Sequence, residues 1–196
     1  SSSQHRKVVV AVPMVSKEEK AIIRALMLGI LIAEYIWGMT PIKRVHSDRE
    51  PGLLASSGEL HENAVMLTVT EGYNSDANPI AESFANVISR MTRVSLNQAL
   101  VSIEDKSTMQ ACREFLWPYA MELSAALYSA FQTDDDKAMV LDTPKLVKSD
   151  LAPFLCEVIA TRTTKVKRAK EQNVTVSGYY LGPDMQVPVG SKVLGM

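Results

Sequence analysis

The sequence predicts an all-α protein with two packed helical subdomains and a short extended C-terminal tail. Several long segments place apolar residues at spacings of three and four, which is typical of amphipathic helices. Aromatic residues make up only 6% of the 196 residues, whereas methionine occurs 10 times and alanine, leucine, valine and serine abound. This mixture suits helices packed on helices better than a β-sandwich. Glycine, proline and valine are concentrated after residue 173, so a tail that is extended, forms a hairpin or is partly mobile is expected there.

The most apolar stretch of the chain is AIIRALMLGILIAEYIWGM, which runs from Ala21 to Met39. A transmembrane helix needs about 20 predominantly apolar residues, so this stretch is only just long enough to cross a bilayer. Two charged residues, Arg24 and Glu34, interrupt it. Because a charge costs roughly 2.5–3.5 kcal/mol at the bilayer centre, a buried helix is favoured over a membrane span.

The ends of this stretch are typical of a helix that begins and ends in water. Ser16 is followed three residues later by Glu19, which is the spacing of a capping box. Gly38 and Pro41 then provide a common way for a helix to stop. We therefore expect Ser16 to Gly38 to form the central core helix of the first subdomain.

The region after this helix contains the predicted boundary between the subdomains. Residues 41–52 are predicted to form a polar connector, and the next twenty or so residues one or two short helices that end in the apolar cluster Ala64–Val69. The following segment, EGYNSDANP, is rich in turn-forming residues. The predicted units are therefore residues 1–75, residues 76–172 and a tail of residues 173–196.

The second subdomain is predicted to begin with an amphipathic helix. Asn78 is placed to cap it, and Pro79 stands at its first position, where proline is well tolerated. Its apolar stripe is expected to consist of Ile80, Phe84, Val87, Ile88 and Met91.

Two further long helices are predicted in this subdomain. Ser107 and Gln110 form a capping pair before MQACREFLWPYAMELSAALYSAF, in which Pro118 should kink the helix or split it. The last helix is expected over DLAPFLCEVIATRTTKVKRAKEQ, with Ser149 or Asp150 as its cap.

No motif in the sequence supports catalysis or metal binding. The chain has no glycine-rich phosphate loop and no serine in a nucleophile elbow. The pair His61-Glu62 resembles the start of a zinc-protease motif, but Val65 stands where the second histidine is required. Cys112 and Cys156 are expected to be buried free thiols in a reducing compartment. We therefore expect no enzyme activity, no cofactor and no metal site.

The densest charge signal is the segment TRTTKVKRAK, which contains no acidic residue. Its five basic residues are Arg162, Lys165, Lys167, Arg168 and Lys170. One interpretation is a solvated helix C-terminus, whose dipole favours cations. The other is an anion-binding site, because each basic residue near an anionic membrane contributes about 1 kcal/mol and nucleic-acid phosphates attract the same charges. With a net charge of -1, such binding would depend on local patches.

The segment AVMLTVTEGYNSDANPIAESFANVISRMTRVSL resembles the matrix proteins of orthomyxoviruses. In that family an apolar helix ends in a Leu-Thr-Val run, and a turn leads to a helix that is opened by an acid or amide followed by proline and carries basic residues. The matching positions here are Leu67-Thr68-Val69, then Asn78-Pro79, then Arg90 and Arg93. Further on, MELSAALYSAF resembles the family's small-residue helix and LAPFLCEVIATRT its cysteine-containing helix. These similarities occur in the family's order over most of residues 16–170, and the overall length is most similar to the isavirus members.

This resemblance implies an all-helical structural protein that forms a layer between the viral envelope and the ribonucleoprotein. Such a protein would polymerise with itself, bind the anionic lipid of the inner leaflet electrostatically and contact the viral ribonucleoprotein. It would lie in the virion beneath the envelope. In the host cell it would be found in the cytoplasm, at the inner face of the plasma membrane and, in some members, in the nucleus.

The basic residues depart from the influenza pattern. Influenza members carry a dense basic motif where this chain has only Arg90 and Arg93, so these two residues are candidates for ribonucleoprotein contact while direct RNA binding stays open. The Cys/His zinc motif of those members is not present. Lys43, Arg44 and the five basic residues of segment 162–170 are therefore the candidates for binding membrane or another anion.

Two alternatives from other functional classes stay open. A helical DNA-binding regulator would need a helix-turn-helix, and the only candidate segment, RVSLNQALVSIEDKS, has Glu104 and Asp105 where a recognition helix needs hydrogen-bond donors. An all-α scaffold without a lipid partner would show no salt-sensitive binding to vesicles.

Overall fold

The computed structural model describes residues 7–70, 79–101, 104–135, 151–161, 175–185 and 190–195. Of these residues, 53% are helical and 20% lie in strands, and the strands form two sheets. The fold is therefore mixed α/β, and the all-α prediction is wrong. The elements in chain order are α1 (Glu19–Tyr35), β1 (Arg44–Ser47), α2 (Pro51–Ala55), α3 (Ser57–Glu62), β2 (Met66–Val69), α4 (Pro79–Ala99), α5 (Lys106–Asp135), β3 (Glu157–Thr161), β4 (Thr175–Asp184) and β5 (Gly190–Gly195).

Helix α1 lies close to its predicted position, but its ends are formed differently. The predicted capping box is absent, because the N-cap residue is Glu18 and no side chain caps the helix. Beyond the C-terminus, Gly38 adopts a φ of 64°, which favours glycine, and the Met39 amide donates to the Ala33 carbonyl at 3.1 Å. Within the described ranges, no helix combines the length and apolarity that crossing a membrane requires.

The first sheet is a parallel pair formed where a connector and short helices were predicted. Strands β1 and β2 pair with Arg44 opposite Met66 and His46 opposite Thr68, and α2 and α3 connect them. Val45 points to the opposite side and packs in a core cluster that includes Leu67. The apolar run of residues 64–69 is too short for its periodicity to distinguish a strand from a buried helix, which explains the error.

The second sheet is antiparallel, has the strand order β3-β4-β5 and contains the C-terminal residues. The extended conformation expected after residue 173 is present in β4 and β5, which pair antiparallel, and this pair is part of a sheet that also contains β3. The helix predicted from Asp150 onwards is contradicted over Glu157–Thr161, which is β3. Leu155, at a φ of 57°, ends a turn in which the Cys156 amide donates to the Pro153 carbonyl at 3.2 Å. This turn redirects the chain into β3, so no helix continues through it.

Helices α4 and α5 were predicted in the right place, with three corrections. The fully buried face of α4 consists of Ile88, Thr92 and Leu96, whereas Ile80 is 61% exposed. Helix α5 is continuous, so Pro118 does not split it. Its first turn is capped by Asp105 and not by the predicted Ser107. The predicted cap Asn78 lies outside the described residues.

Three core clusters surround α1 and α5. The first joins the end of α1 to α5, through Ile32, Ile36, Trp37, Ala126 and Ala130. The second joins α4, α5 and β4, through Leu96, Leu100, Leu116, Ala120 and Leu181. The third packs α1 on α3 and the first sheet, through Ile23, Ile30, Leu60 and Val65. These contacts cross the predicted division near residue 75, which itself falls outside the described residues and stays a prediction.

Candidate interaction surfaces

Four of the predicted anion-binding or ribonucleoprotein-binding residues are described, and they form two separate pairs. Lys43 and Arg44 are neighbours at the start of β1, and Arg90 and Arg93 lie on α4; all four are exposed. No ion pair joins any of the four to another residue within the described ranges. Their charges are therefore directed to solvent. The other five, Arg162, Lys165, Lys167, Arg168 and Lys170, lie outside the described residues.

The outer face of the first sheet places a basic side chain beside an apolar one. Alternate residues of a strand point to opposite faces, so Arg44 and His46 share this face with their partners Met66 and Thr68. Met66 is 62% exposed, so a large apolar side chain is accessible at the position paired with Arg44. We call these four residues the β1 basic face; Lys43, exposed immediately before Arg44, adds a further charge at the start of the strand.

Two hydrogen bonds link β1 and β2 at the His46 and Thr68 end of this face. The Thr68 hydroxyl donates to the Val45 carbonyl at 3.1 Å, and His46 Nδ1 lies 2.9 Å from the same hydroxyl oxygen. The His46 ring and the Thr68 hydroxyl are therefore held together by a hydrogen bond across the two strands.

The α4 basic face is formed by Arg90 and Arg93 with the neighbouring Asn97. Residues three and four apart share one side of a helix, so these three side chains are adjacent. Asn97 Oδ1 accepts a 2.9 Å hydrogen bond from Arg113 of α5, which brings a third guanidinium to this face. Guanidinium groups donate in a fixed fork that matches carboxylate and phosphate oxygens.

One acidic residue limits the charge of the α4 basic face. A groove of about 380 Å³ runs along the first turns of α4, with Glu82 towards one end and Arg90 at the other. The face is therefore dipolar along the helix, and its positive end lies at Arg90 and Arg93.

Segment 162–170 was predicted to be the basic end of the last helix. It lies outside the described residues, and the residues directly before it form β3. It belongs to the connection between β3 and β4, whose ends Thr161 and Thr175 are paired with each other. The helix that was predicted to run continuously into these charges is interrupted, because the residues directly before them form a strand.

Exposed apolar side chains are a feature that the sequence analysis missed. Leu31 and Tyr35 lie one turn apart on α1 and are 57% and 56% exposed, and Ile159 in β3 is 78% exposed. The Leu31 and Tyr35 pair was hidden because α1 appeared apolar on all sides. The exposure of Ile159 depends on its place in a strand, and the helix predicted over this segment concealed it.

The described residues contain no group of three or more His, Cys, Asp or Glu side chains close enough to hold a metal ion. Cys112 and Cys156 are both free and half-buried. Cys156 immediately precedes β3 and is not in the helix predicted for it.

Comparison with known proteins gives no relative for this chain. No protein-family model, no curated protein and no solved structure matches it.

Proposed function

We propose that this chain is a structural protein of the viral matrix type, which assembles with copies of itself and binds anionic surfaces electrostatically. The observation that supports this most directly is the exposure of Lys43, Arg44, Arg90 and Arg93 without an ion-pair partner in the described part of the chain. Basic side chains that are not used within a fold are available to an anionic partner.

The β1 basic face is suited to a membrane surface. Lys43 and Arg44 supply charge for the lipid headgroups, at about 1 kcal/mol for each basic residue. Met66, which is paired with Arg44 across the sheet, adds an exposed apolar side chain to the surface that would meet the lipid. The anionic lipid of the inner leaflet is therefore the partner proposed for this face, together with segment 162–170.

The α4 basic face is the surface proposed for the ribonucleoprotein. Its three guanidinium groups, from Arg90, Arg93 and Arg113, are of the kind that binds carboxylate or phosphate groups in pairs of hydrogen bonds. Either an acidic protein surface or RNA phosphates would meet this chemistry.

Self-assembly is supported by the exposed apolar side chains and by the low net charge. Large side chains such as Leu31, Tyr35 and Ile159 are exposed on both a helix and a strand. The net charge of -1 means that little repulsion opposes contact between copies. The proposal depends on these surfaces and not on the helical fold of the matrix family, which this chain does not have.

The described residues add nothing in favour of the DNA-binding alternative. Much of its candidate segment belongs to the long helix α4, and Asp105 is occupied as the cap of α5. We therefore do not propose it.

Sedimentation with lipid vesicles tests the membrane part of the proposal. Wild-type protein should bind vesicles of mixed phosphatidylserine and phosphatidylcholine at low salt, and it should be released at high salt because salt screens exposed charges. Phosphatidylcholine vesicles should not bind. Replacing Lys43 and Arg44 with Glu, or Arg162, Lys165, Lys167 and Arg168 with Glu, should weaken binding by at least about tenfold.

A charge-matched control separates a surface effect from a net-charge effect. Lys20 and Arg24 are exposed on α1 and belong to neither basic face. Their replacement with Glu makes the same change in charge as the Lys43 and Arg44 double variant, and it should leave most of the binding intact. If the wild-type protein shows no salt-sensitive binding to vesicles, the proposal is overturned. If all variants, including the Lys20 and Arg24 control, lose the same amount of binding, the β1 basic face is not the membrane-binding surface.

A further inference from the structure

Strand β3 forms one edge of the second sheet. The strand order is β3-β4-β5, so β4 covers only one side of β3. On its other side, no backbone hydrogen bond to β3 is formed within the described ranges. An edge strand of this kind presents a row of N–H and C=O groups that can pair with another chain.

The hydrogen bonds to β4 show which residues of β3 face this open side. The Tyr180 amide donates to the Cys156 carbonyl at 2.9 Å, and the Tyr180 carbonyl accepts from the Leu155 amide at 2.8 Å. Hydrogen-bonded and non-hydrogen-bonded pairs alternate along an antiparallel ladder. The backbone N–H and C=O groups of Val158 and Ala160 therefore point towards β4. The N–H and C=O groups of the other three residues, Glu157, Ile159 and Thr161, point to the open side.

These three outward-facing residues are complementary to a second copy of themselves. Ile159 is the central residue of β3, and a twofold axis at Ile159 pairs each Ile159 with its counterpart in an antiparallel arrangement. In the same register Glu157 of one copy meets Thr161 of the other, on both sides of the axis. All three pairs are then hydrogen-bonded pairs, each of which exchanges two bonds.

The side chains also suit this register. Ile159 is 78% exposed in the single chain and would lie beside the second Ile159. Cross-strand pairs of β-branched side chains are favourable, whereas like charges directly opposite each other are not. The register satisfies both conditions, because Glu157 faces a threonine and not a second glutamate. On the same face, the β4 partner of Ile159 is Ser177, and Tyr179, diagonal to Ile159, is paired with Leu194.

We propose that the open edge of β3 is a self-association site, at which a second copy of this chain pairs antiparallel about Ile159 to form a continuous six-stranded sheet. This deepens the proposed function and rests on it, because it names the contact through which copies assemble. A five-residue strand buries less than the ~1,200 Å² of a standard stable interface. Association should therefore be weak in solution and strengthened where the protein is concentrated on a surface.

Sedimentation equilibrium over a wide concentration range tests the proposal. The average mass of the wild type should rise from 21.6 kDa towards twice that value with concentration. Replacing Ile159 with Lys should weaken association by roughly tenfold or more, because a charged edge opposes pairing. Replacing Val101, which is 80% exposed and lies just beyond α4, with Lys should have no effect.

Amide hydrogen exchange of the wild type provides a second measurement that does not depend on how a variant folds. The amides of Glu157, Ile159 and Thr161 should exchange quickly in dilute protein and become protected as concentration rises. The amides of Val158 and Ala160 should be protected throughout, because they bond to β4.

The outcomes separate this proposal from the proposed function. Association that Ile159→Lys weakens, with protection of the outward amides, supports the site. Association that is unaffected by Ile159→Lys, or that leaves those amides unprotected, overturns the site but leaves the matrix-type proposal standing. A protein that is monomeric at every concentration also overturns the site, and vesicle binding then decides the proposed function separately.

Discussion

The hydroxyl of Ser129 holds the backbone of Val9 through two hydrogen bonds. Its oxygen accepts from the Val9 amide at 2.8 Å, and the hydroxyl donates to the Val9 carbonyl at 2.9 Å. The two residues are separated by 120 positions in the sequence. On either side of Val9, Val8 and Val10 pack against the core cluster between α1 and α5. Ser129 therefore fixes the N-terminal segment to the middle of the fold.

Replacing Ser129 with Ala should lower the free energy of unfolding by about 1–3 kcal/mol, because it leaves the amide and carbonyl of Val9 without a partner in a partly buried place. The change is measured by urea denaturation. The Val9 amide should also exchange faster with solvent. As a control, Ser83→Ala at an exposed position of α4 should stay within about 0.5 kcal/mol of the wild type. Equal stability of the two variants would contradict the role assigned to Ser129.

The paired glycines Gly178 and Gly195 should respond very differently to alanine. A Cβ at Gly178 would collide with the backbone carbonyl of Leu194, whereas a Cβ at Gly195 meets nothing within 4 Å. Because a backbone atom cannot move aside without shifting β5, Gly178→Ala should destabilise the protein by roughly 1–3 kcal/mol. Gly195→Ala should be close to neutral. Thermal unfolding of both variants gives the comparison, and a tolerated Gly178→Ala would show that β5 lies further from β4.

Ala64 ends α3 in a conformation that glycine prefers. Its φ is 58°, and the hydrogen bonds from Val65 N to Leu60 O and from Ala64 N to His61 O form a Schellman motif. Ala64→Gly should therefore stabilise the protein by ~0.5–1 kcal/mol. This is the net result of two terms: glycine relieves the backbone strain of the folded state, but it also increases the conformational entropy of the unfolded chain. The same substitution at Ala85, inside α4, should cost about 1 kcal/mol. Chemical denaturation of the two variants should give opposite signs.

The Asp105 carboxylate is expected to link stability to acid pH. Hydrogen bonds from the Thr108 side chain, the Ser107 hydroxyl and the Thr108 amide lower the pKa of Asp105 from 3.8 to about 2. The folded protein therefore prefers the ionised form, and the stabilisation is complete above pH 3.8. It is lost as the pH falls through about 2, because the carboxyl is then protonated in both states.

Two variants test this linkage by thermal unfolding over a range of pH. Asp105→Ala should lower the Tm at neutral pH, and its difference from the wild type should shrink between pH 3.8 and about 2. Asp105→Asn keeps a side chain that caps helices well but does not titrate. At neutral pH, Asp105→Asn should lower the Tm less than Asp105→Ala does. Its Tm should also change less between neutral and acid pH than the Tm of the wild type. A constant difference between wild type and Asp105→Ala at all pH values would refute the linkage.

The residues predicted to bind an anionic surface belong to different kinds of structure. Arg90 and Arg93 lie on an exposed helix face, as expected from their spacing on a helix that was correctly predicted. Lys43 and Arg44 were predicted to lie in a connector, but they lie at the start of strand β1. Because Arg44 pairs with Met66 of β2, Met66 belongs to the same surface. Neither Met66 nor Ile159 could be assigned to a surface without knowing the pairing of their strands.

The sequence by itself determined the long helices, and only the tertiary structure decided the sheets. Helices α1, α4 and α5 depend on hydrogen bonds between residues four apart, so their periodicity and their proline and glycine signals are visible locally. Strands β1 and β3 have only four and five residues, and their backbone partners are distant in the chain. The Lys43 carbonyl accepts from Met66, and the Cys156 carbonyl accepts from Tyr180. A short apolar run becomes a strand only when such a partner is present, and no local pattern reveals that partner.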